Sequence, residues 1–158
     1  MAYEKELSDC RKYFRAYGLP FPEVCAYETS RMLSRANKEQ EVYVGWVAKV
    51  LDAVNLREVE RTILHEMCQI FVKEYRPPAS LKELFGDEED WKDEESTIRA
   101  LGFPLDDDYI SQYARTHPRN DLAETMVHVL RHVEMWDPKT GVVYEKVKAV
   151  RKWFKELC

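Results

Sequence analysis

The sequence predicts one mainly α-helical domain. The chain has 158 residues, which is the size of a single ordinary domain and is enough to bury a core without help from metals or disulfides. It contains only 5 Gly and 7 Pro, and it is rich in Glu, Lys, Leu, Arg and Ala, which favour helix. No internal repeat or linker-like stretch divides the sequence, so we expect residues 1–158 to form a single domain.

Two helices are predicted before residue 40. The first is Tyr3–Tyr17, where apolar residues lie three or four positions apart. The same spacing predicts a second helix over Pro22–Ala36. The third segment, Glu41–Val54, allows two structures, because Val42–Val47 could form a short strand while the remainder has helical spacing. That stretch is the only candidate for a small β element.

Three longer helices complete the prediction. Leu56–Tyr75 is apolar nearly all round, which is typical of a helix buried on most sides, and Pro77 and Pro78 end it. Pro118–Met135 begins with a proline, which suits the first turn of a helix. The amphipathic segment Val142–Leu157 closes the chain.

The charge pattern excludes several classes of partner. The 24 basic and 29 acidic residues are mixed along the chain and give a net charge of -5. Nucleic acids and anionic membranes are bound by basic patches or stripes, which this sequence lacks. No apolar stretch approaches the roughly 18 residues of a membrane span, and the first residues have no apolar signal core. We therefore expect a cytoplasmic protein whose partners are proteins or peptides, not nucleic acids or membranes.

Polar side chains interrupt the apolar helix Leu56–Tyr75. His65 and Glu66 lie within it, and a buried His or Glu must be hydrogen-bonded, paired or bound to a metal. Gln69 follows His65 by four residues, so both side chains lie on one helix face. Either a hydrogen-bonded His–Glu pair in the core or a functional site explains this pattern.

A second polar stripe lies on the predicted helix Pro118–Met135. Asn120, Glu124 and His128 are each four residues apart and therefore share one helix face. If this helix packs face to face with Leu56–Tyr75, the polar residues of both helices could share one buried pocket. Two helices that carry His and carboxylate at this spacing commonly build a transition-metal site.

Two motifs resemble those of zinc metallopeptidases. Ile-Leu-His65-Glu66-x-x-Gln69 is similar to the His-Glu-x-x-His helix, with Gln in place of the last His. From Tyr113 the chain reads Tyr-Ala-Arg-Thr-His-Pro and then Asn120-Asp-Leu-Ala-Glu-Thr, which resembles the gluzincin loop Tyr-Ala-x-x-x-Pro and helix Glu-Asp-Phe-Ala-Glu-Thr. The sequence is most similar to the zinc-binding peptidases that look related to the anthrax lethal-factor catalytic domain. The resemblance covers about residues 57–132.

The resemblance implies a compact zincin-like helical domain with a zinc site. The family's metal ligands fall on His65, Gln69 and Asn120. Only the His is a usual zinc ligand, because zinc prefers His, Cys and carboxylate to neutral amides. The zinc triad is therefore predicted to be degraded. Which of Asn120 and Asp121 faces the pocket stays open, since one residue turns a helical side chain by about 100°.

The resemblance also implies roles for four other residues. Glu66 falls on the position of the general base and Tyr113 on that of an oxyanion-stabilising tyrosine. Glu124 and His128 fall on positions that orient the ligands. In an alternative arrangement these two residues join His65 as a rearranged metal set with an open water position, and Asp121 is a further oxygen donor.

Three functions are compatible with these residues. The first is a metallopeptidase-like pseudoenzyme that binds peptide segments in the old cleft. The second is a working metal-dependent hydrolase with unusual ligands, in which Glu66 activates a metal-bound water and Tyr113 stabilises the oxyanion. The third is an unrelated helical interaction domain in which both motifs are coincidental. Zinc is the cofactor to test, since metal content separates the second function from the other two.

Overall fold

The computed structural model describes residues 3–32, 34–37, 40–54, 57–86, 107–111, 113–132 and 134–158. Contacts group the chain into two compact units, Met1–Glu74 and Tyr75–Cys158, and each is described by itself. The described residues form helices and a small sheet, which confirms the predicted class of mainly α with a small β element. The single-domain organisation of residues 1–158 stays a prediction.

The first unit combines three helices with a three-stranded sheet. In chain order its elements are α1 (Glu4–Ala16), β1 (Cys25–Glu28), β2 (Arg35–Ala36), β3 (Glu41–Val44), α2 (Trp46–Ala53) and α3 (Glu58–Tyr75), which ends at the unit boundary. The strand order is β1-β3-β2, with β1 parallel and β2 antiparallel to the central β3.

The helix predicted over Pro22–Ala36 is wrong, because this segment contains β1 and β2. Short apolar runs do not distinguish helix from strand by spacing alone. β1 is a strand because its backbone pairs with β3, with Ala26 beside Val42. The spacing of residues within a segment cannot predict pairing with a strand so far along the chain. The third segment contains both predicted structures, since β3 is followed directly by α2.

The core of the first unit contains residues of α1, α3 and one face of the sheet. Phe14 of α1 and Phe71 of α3 are fully buried, and their ring centroids are 5.7 Å apart. Ala26, Val42 and Val44 are also fully buried and supply the inner face of the sheet. The predicted burial of α3 is confirmed, because most of its side chains are buried.

The second unit is helical in its described part. It contains α4 (Ala79–Phe85), α5 (Pro118–Arg131), α6 (Gly141–Leu157) and the short 3-10 helices Ala114–Thr116 and Glu134–Trp136. The helix predicted over Pro118–Met135 is confirmed as far as Arg131, and the closing helix is confirmed over its whole predicted length. The spacing did not predict α4, which is too short for a helical pattern to stand out. None of the helices in the described ranges is long and apolar enough to cross a bilayer.

Replacing Phe14 with Ala should remove the aromatic contact between α1 and α3. We expect the free energy of unfolding to fall by about 3–5 kcal/mol, because the change leaves a cavity in a fully buried site. Urea unfolding followed by circular dichroism measures this loss. Val50→Ala on α2 is the control, since Val50 is 56% exposed and its truncation should change stability by less than about 0.5 kcal/mol. Equal losses in the two variants would contradict this account of the core.

Candidate functional site

Helix α3 carries the first group of predicted site residues into the core. No Gly or Pro interrupts the helix. Glu58 and Glu60 in its first turn stabilise it, because their negative charges lie near the positive end of the helix dipole. His65 and Glu66 lie in the middle of α3 and are only 4% and 6% exposed. The hydrogen-bonding groups of both side chains are therefore shielded from water and depend on partners in the protein.

The predicted proximity of His65 and Gln69 is confirmed. The Gln69 side-chain nitrogen lies 3.1 Å from His65 Nε2, as the spacing of four residues predicts. When the imidazole carries its proton on Nδ1, the Gln69 amide donates to the Nε2 lone pair, which is the pair that a metal takes. When Nε2 is protonated, that lone pair no longer exists. The contact with Gln69 is therefore a hydrogen bond when the imidazole proton is on Nδ1, and in that tautomer the Nε2 lone pair of His65 is engaged by the protein itself.

Asn120 is held by the segment that precedes α5. Its Nδ2 donates to Thr116 Oγ1 at 2.8 Å, and the Thr116 hydroxyl donates to the carbonyl of Tyr113 at 2.6 Å. Asn120 is buried and Tyr113 is half-buried. The two amides at the family's ligand positions thus both take part in local hydrogen bonds, Gln69 in the first unit and Asn120 in the second.

Glu124 and His128, the other predicted residues on α5, have partners within the second unit. The Ser111 hydroxyl donates to Glu124 Oε1 at 2.9 Å. His128 Nε2 lies 3.0 Å from Asp137 Oδ1, and Asp137 also accepts from Arg151 Nε at 2.7 Å. Burial would raise the pKa of Asp137, but hydrogen bonds from Arg151 and His128 outweigh it and lower that pKa.

Asp121, one residue beyond Asn120, forms a buried ion pair that the sequence analysis missed. Asp121 is 1% exposed and Lys146 of α6 is 4% exposed, and Lys146 Nζ lies 2.6 Å from Asp121 Oδ2. Lys146 also donates to the carbonyl of Asp108 at 2.8 Å and lies 4.4 Å from the ring centroid of Tyr109. The signal was present, because Lys146 falls on the apolar side of a helix whose neighbouring residue Val147 is buried.

The Asp121 carboxylate is committed to Lys146 and is not a simple substitute for a third ligand. Burial raises the pKa of Asp121 to about 6, although the hydrogen bond and charge of Lys146 act to lower it. Its second oxygen, Oδ1, is buried and has no hydrogen-bond partner among the residues that the structure describes. A carboxylate in this setting has a strong tendency to hold a proton.

The residues at the family's ligand positions do not fit zinc. They supply one imidazole, whose Nε2 is already engaged, and two neutral amides, whereas zinc sites use His, Cys and carboxylate. Among the residues that the structure describes, no group of three or more His, Cys, Asp or Glu side chains is arranged to hold a metal ion. The proposed roles of Glu66 and Tyr113 in catalysis stay predictions.

Asp121 should titrate well above an ordinary aspartate. A carboxyl 13C NMR titration should give a midpoint near pH 6 for Asp121, whereas Asp137 in the same spectra should titrate below its usual range. Between about pH 4 and pH 6 the folded state then binds more protons than the unfolded state, so this group's contribution to stability falls as pH rises.

The same effect should appear in unfolding experiments on Asp121→Asn. The free energy of unfolding of the unmodified protein, measured relative to this variant, should fall by up to about 3 kcal/mol between about pH 4 and pH 7. Urea unfolding at several pH values measures it. A midpoint for Asp121 at or below pH 4 would contradict the raised pKa, because it would mean that Lys146 stabilises the carboxylate more than burial destabilises it.

The comparisons with known proteins agree with the motifs. No curated protein and no solved structure matches the chain. One family model does, described as "Putative zinc-binding metallo-peptidase", and it matches residues 32–153. This match is wider than the stretch of about residues 57–132 that carries the motifs, and it includes both α3 and α5. It covers well over half of the sequence, and the chain therefore belongs to this zinc-binding metallopeptidase family.

Proposed function

We propose that the protein is a metallopeptidase-family member that has lost zinc-dependent hydrolysis and now binds polypeptides without cutting them. The observation that carries this proposal is the contact of 3.1 Å between the Gln69 amide and His65 Nε2. It puts a protein hydrogen bond at the atom that would bind the metal. A zinc ion at this place would first have to break that contact.

The donor chemistry supports the same conclusion. Replacing an imidazole and a carboxylate by two amides removes two strong metal ligands. It also leaves the charge of a zinc ion without a compensating carboxylate. Glu66 is retained, but a general base for hydrolysis needs a metal-activated water on which to act. We infer that Glu66 now serves the packing and hydrogen bonding of the buried helix α3.

The alternative of a working hydrolase with a rearranged metal set finds less support. It would use His65, Glu124 and His128 as ligands. Glu124 accepts a hydrogen bond from Ser111, and His128 Nε2 is held by Asp137. These are the hydrogen bonds expected of residues with local structural roles. Family membership argues against the third alternative, an unrelated domain with coincidental motifs.

Polypeptides are the partner class that the family relationship favours. A peptidase fold that no longer cuts retains surfaces suited to peptide chains. The mixed charge, with a net of -5, makes nucleic acids and anionic membranes poor partners. The cytoplasmic location predicted from the sequence stays a prediction.

Metal content is the direct test of this proposal. Elemental mass spectrometry of the purified, chelator-treated protein should find no stoichiometric zinc, even after incubation with excess zinc. Zinc at about one ion per chain that disappears in His65→Ala would overturn the proposal and support the hydrolase with unusual ligands.

Restoring the family's ligands tests the origin of the site. The double variant Gln69→His with Asn120→Glu should gain about one zinc ion per chain, and adding His65→Ala should abolish the gain. Circular dichroism establishes that each variant is folded. A folded double variant that takes up no zinc would contradict the assignment of these positions as former metal ligands.

A further inference from the structure

We propose that the outer face of the small sheet binds an extended peptide segment that carries one carboxylate. The site is a row of side chains, one from each strand: Tyr27 of β1, Tyr43 of β3 and Arg35 of β2, which we call the Tyr–Tyr–Arg row. This inference rests on the proposed polypeptide-binding function and names a surface for it.

The strand register aligns these three side chains. Tyr27 is directly opposite Tyr43 in the parallel pair, and Arg35 is directly opposite Tyr43 in the antiparallel pair. The two tyrosine ring centroids are 5.7 Å apart, and the guanidinium carbon of Arg35 lies 5.1 Å from the centroid of the Tyr43 ring. The row is therefore a continuous strip of two aromatic rings and one stacked guanidinium group.

The core on the opposite face fixes the direction of the row. Successive side chains on a strand point to opposite faces of a sheet. Ala26 and Val42 are fully buried, so their neighbours Tyr27 and Tyr43 point away from the core. The two tyrosines are partly exposed and Arg35 is exposed. A ligand can reach all three side chains without any change in the packing of the sheet.

The charge of Arg35 is available to a ligand. Stacking on Tyr43 holds its guanidinium group in place, and within the described part of the chain this group forms no ion pair or hydrogen bond. A guanidinium held in this way loses little entropy when it binds, and its fork of donors matches the two oxygens of a carboxylate. The complementary ligand group is a carboxylate.

The two tyrosines of the row indicate that the ligand that carries this carboxylate is a peptide. Tyrosine faces bind proline and aliphatic side chains of extended peptides. Tyr27 and Arg35 lie two strand spacings apart, about 10 Å, which is the length of about three residues of extended chain. The matching ligand has a proline or aliphatic residue about three positions from an acidic residue or from a terminal carboxylate.

A neighbouring acidic residue argues against polyanions. Glu41 lies on the same face, two residues before Tyr43 on β3, and its carboxylate accepts a hydrogen bond from Asn37 at 2.9 Å. Its negative charge repels a second anionic group next to the one that Arg35 would hold. The site therefore selects a segment with a single carboxylate and disfavours nucleic acids.

Binding of defined short peptides tests this proposal. The probes carry one Pro and one Asp at varied separations in a Gly-Ser background, with blocked termini. Matched sets replace Asp with Asn, or place the only carboxylate at a free C-terminus. We expect fluorescence anisotropy to show strongest binding at a separation of about three residues. Binding should be lost with Asn, and the C-terminal set shows whether a terminal carboxylate substitutes for Asp.

Variants locate the binding on the row. Arg35→Gln should weaken binding about tenfold or more, the loss expected when a charge-assisted hydrogen bond is removed. Arg35→Lys keeps the charge but not the planar fork and should restore only part of the affinity. Arg76→Gln is the matched control, because Arg76 is also exposed and lies outside the row, and it should bind as the unmodified protein does.

Three binding results would overturn the proposal, as would the absence of binding to any of the peptides. These are equal binding of the Asp and Asn peptides, equal binding by Arg35→Gln and the unmodified protein, and tighter binding of a single-stranded DNA oligonucleotide than of any peptide. The proposed peptide site and the proposed loss of zinc-dependent hydrolysis can be refuted independently. A zinc-free protein that binds none of these peptides refutes the row alone, whereas stoichiometric zinc refutes the loss of hydrolysis.

Discussion

Burial of helix α3 is the constraint on which the first unit depends. A helix whose side chains are mostly buried brings its polar groups away from water, where each needs a partner. Near the start of α3, Glu60 accepts hydrogen bonds from the Tyr13 hydroxyl at 2.9 Å and from Arg57 at 2.8 Å. Further along the helix, Gln69 engages His65. The polar groups of this core helix are thus stabilised by other protein groups.

This constraint explains why Gln is well suited to position 69 under the proposed loss of zinc binding. A buried imidazole that loses a metal keeps its need for a hydrogen-bond partner, and an apolar residue at position 69 could not supply one. A glutamine four residues along the helix reaches His65 Nε2 and satisfies it. Under the proposed function, Gln at position 69 therefore both replaces a metal ligand and supplies the hydrogen-bond partner that His65 needs.

The second unit shows the same principle on helix α5. Asp121 pairs with Lys146, and Asn120, Glu124 and His128 each have a hydrogen-bond partner within the unit. The Asp121–Lys146 pair buries charged groups, and such pairs contribute little net stability while being costly to break. The raised pKa of Asp121 reflects this balance, because burial favours the neutral acid more than Lys146 favours the carboxylate.

The sequence predicted the parts of the structure that depend on local spacing. The long helices α3 and α5 and the shared face of His65 and Gln69 were all correct, because helical periodicity and the spacing of four residues report them directly. The small sheet was predicted only in part. Its strands β1 and β2 exist through pairing with β3, which no local pattern reports.

The partners of the predicted site residues were harder to predict than the residues themselves. Lys146 and Asp137 lie at least nine residues from the α5 side chains that they contact, on or near the next helix. Only the packing of α5 against later segments brings these groups together. Sequence spacing therefore identified which residues carry polar groups in the core, and tertiary contacts determined which groups satisfy them.

We expect the proposed loss of zinc binding to be hard to reverse by a single substitution. Gln69→His alone would leave an amide at the third ligand position, and Asn120→Glu alone would leave His65 engaged by Gln69. Each single change would also break an existing hydrogen bond, Asn120 to Thr116 or Gln69 to His65, at a cost of roughly 0.5–1.5 kcal/mol. Neither single variant gains a complete set of strong metal ligands to offset that cost. Under the proposed function, the hydrogen bonds of Gln69 and Asn120 in the folded protein therefore favour a site free of metal.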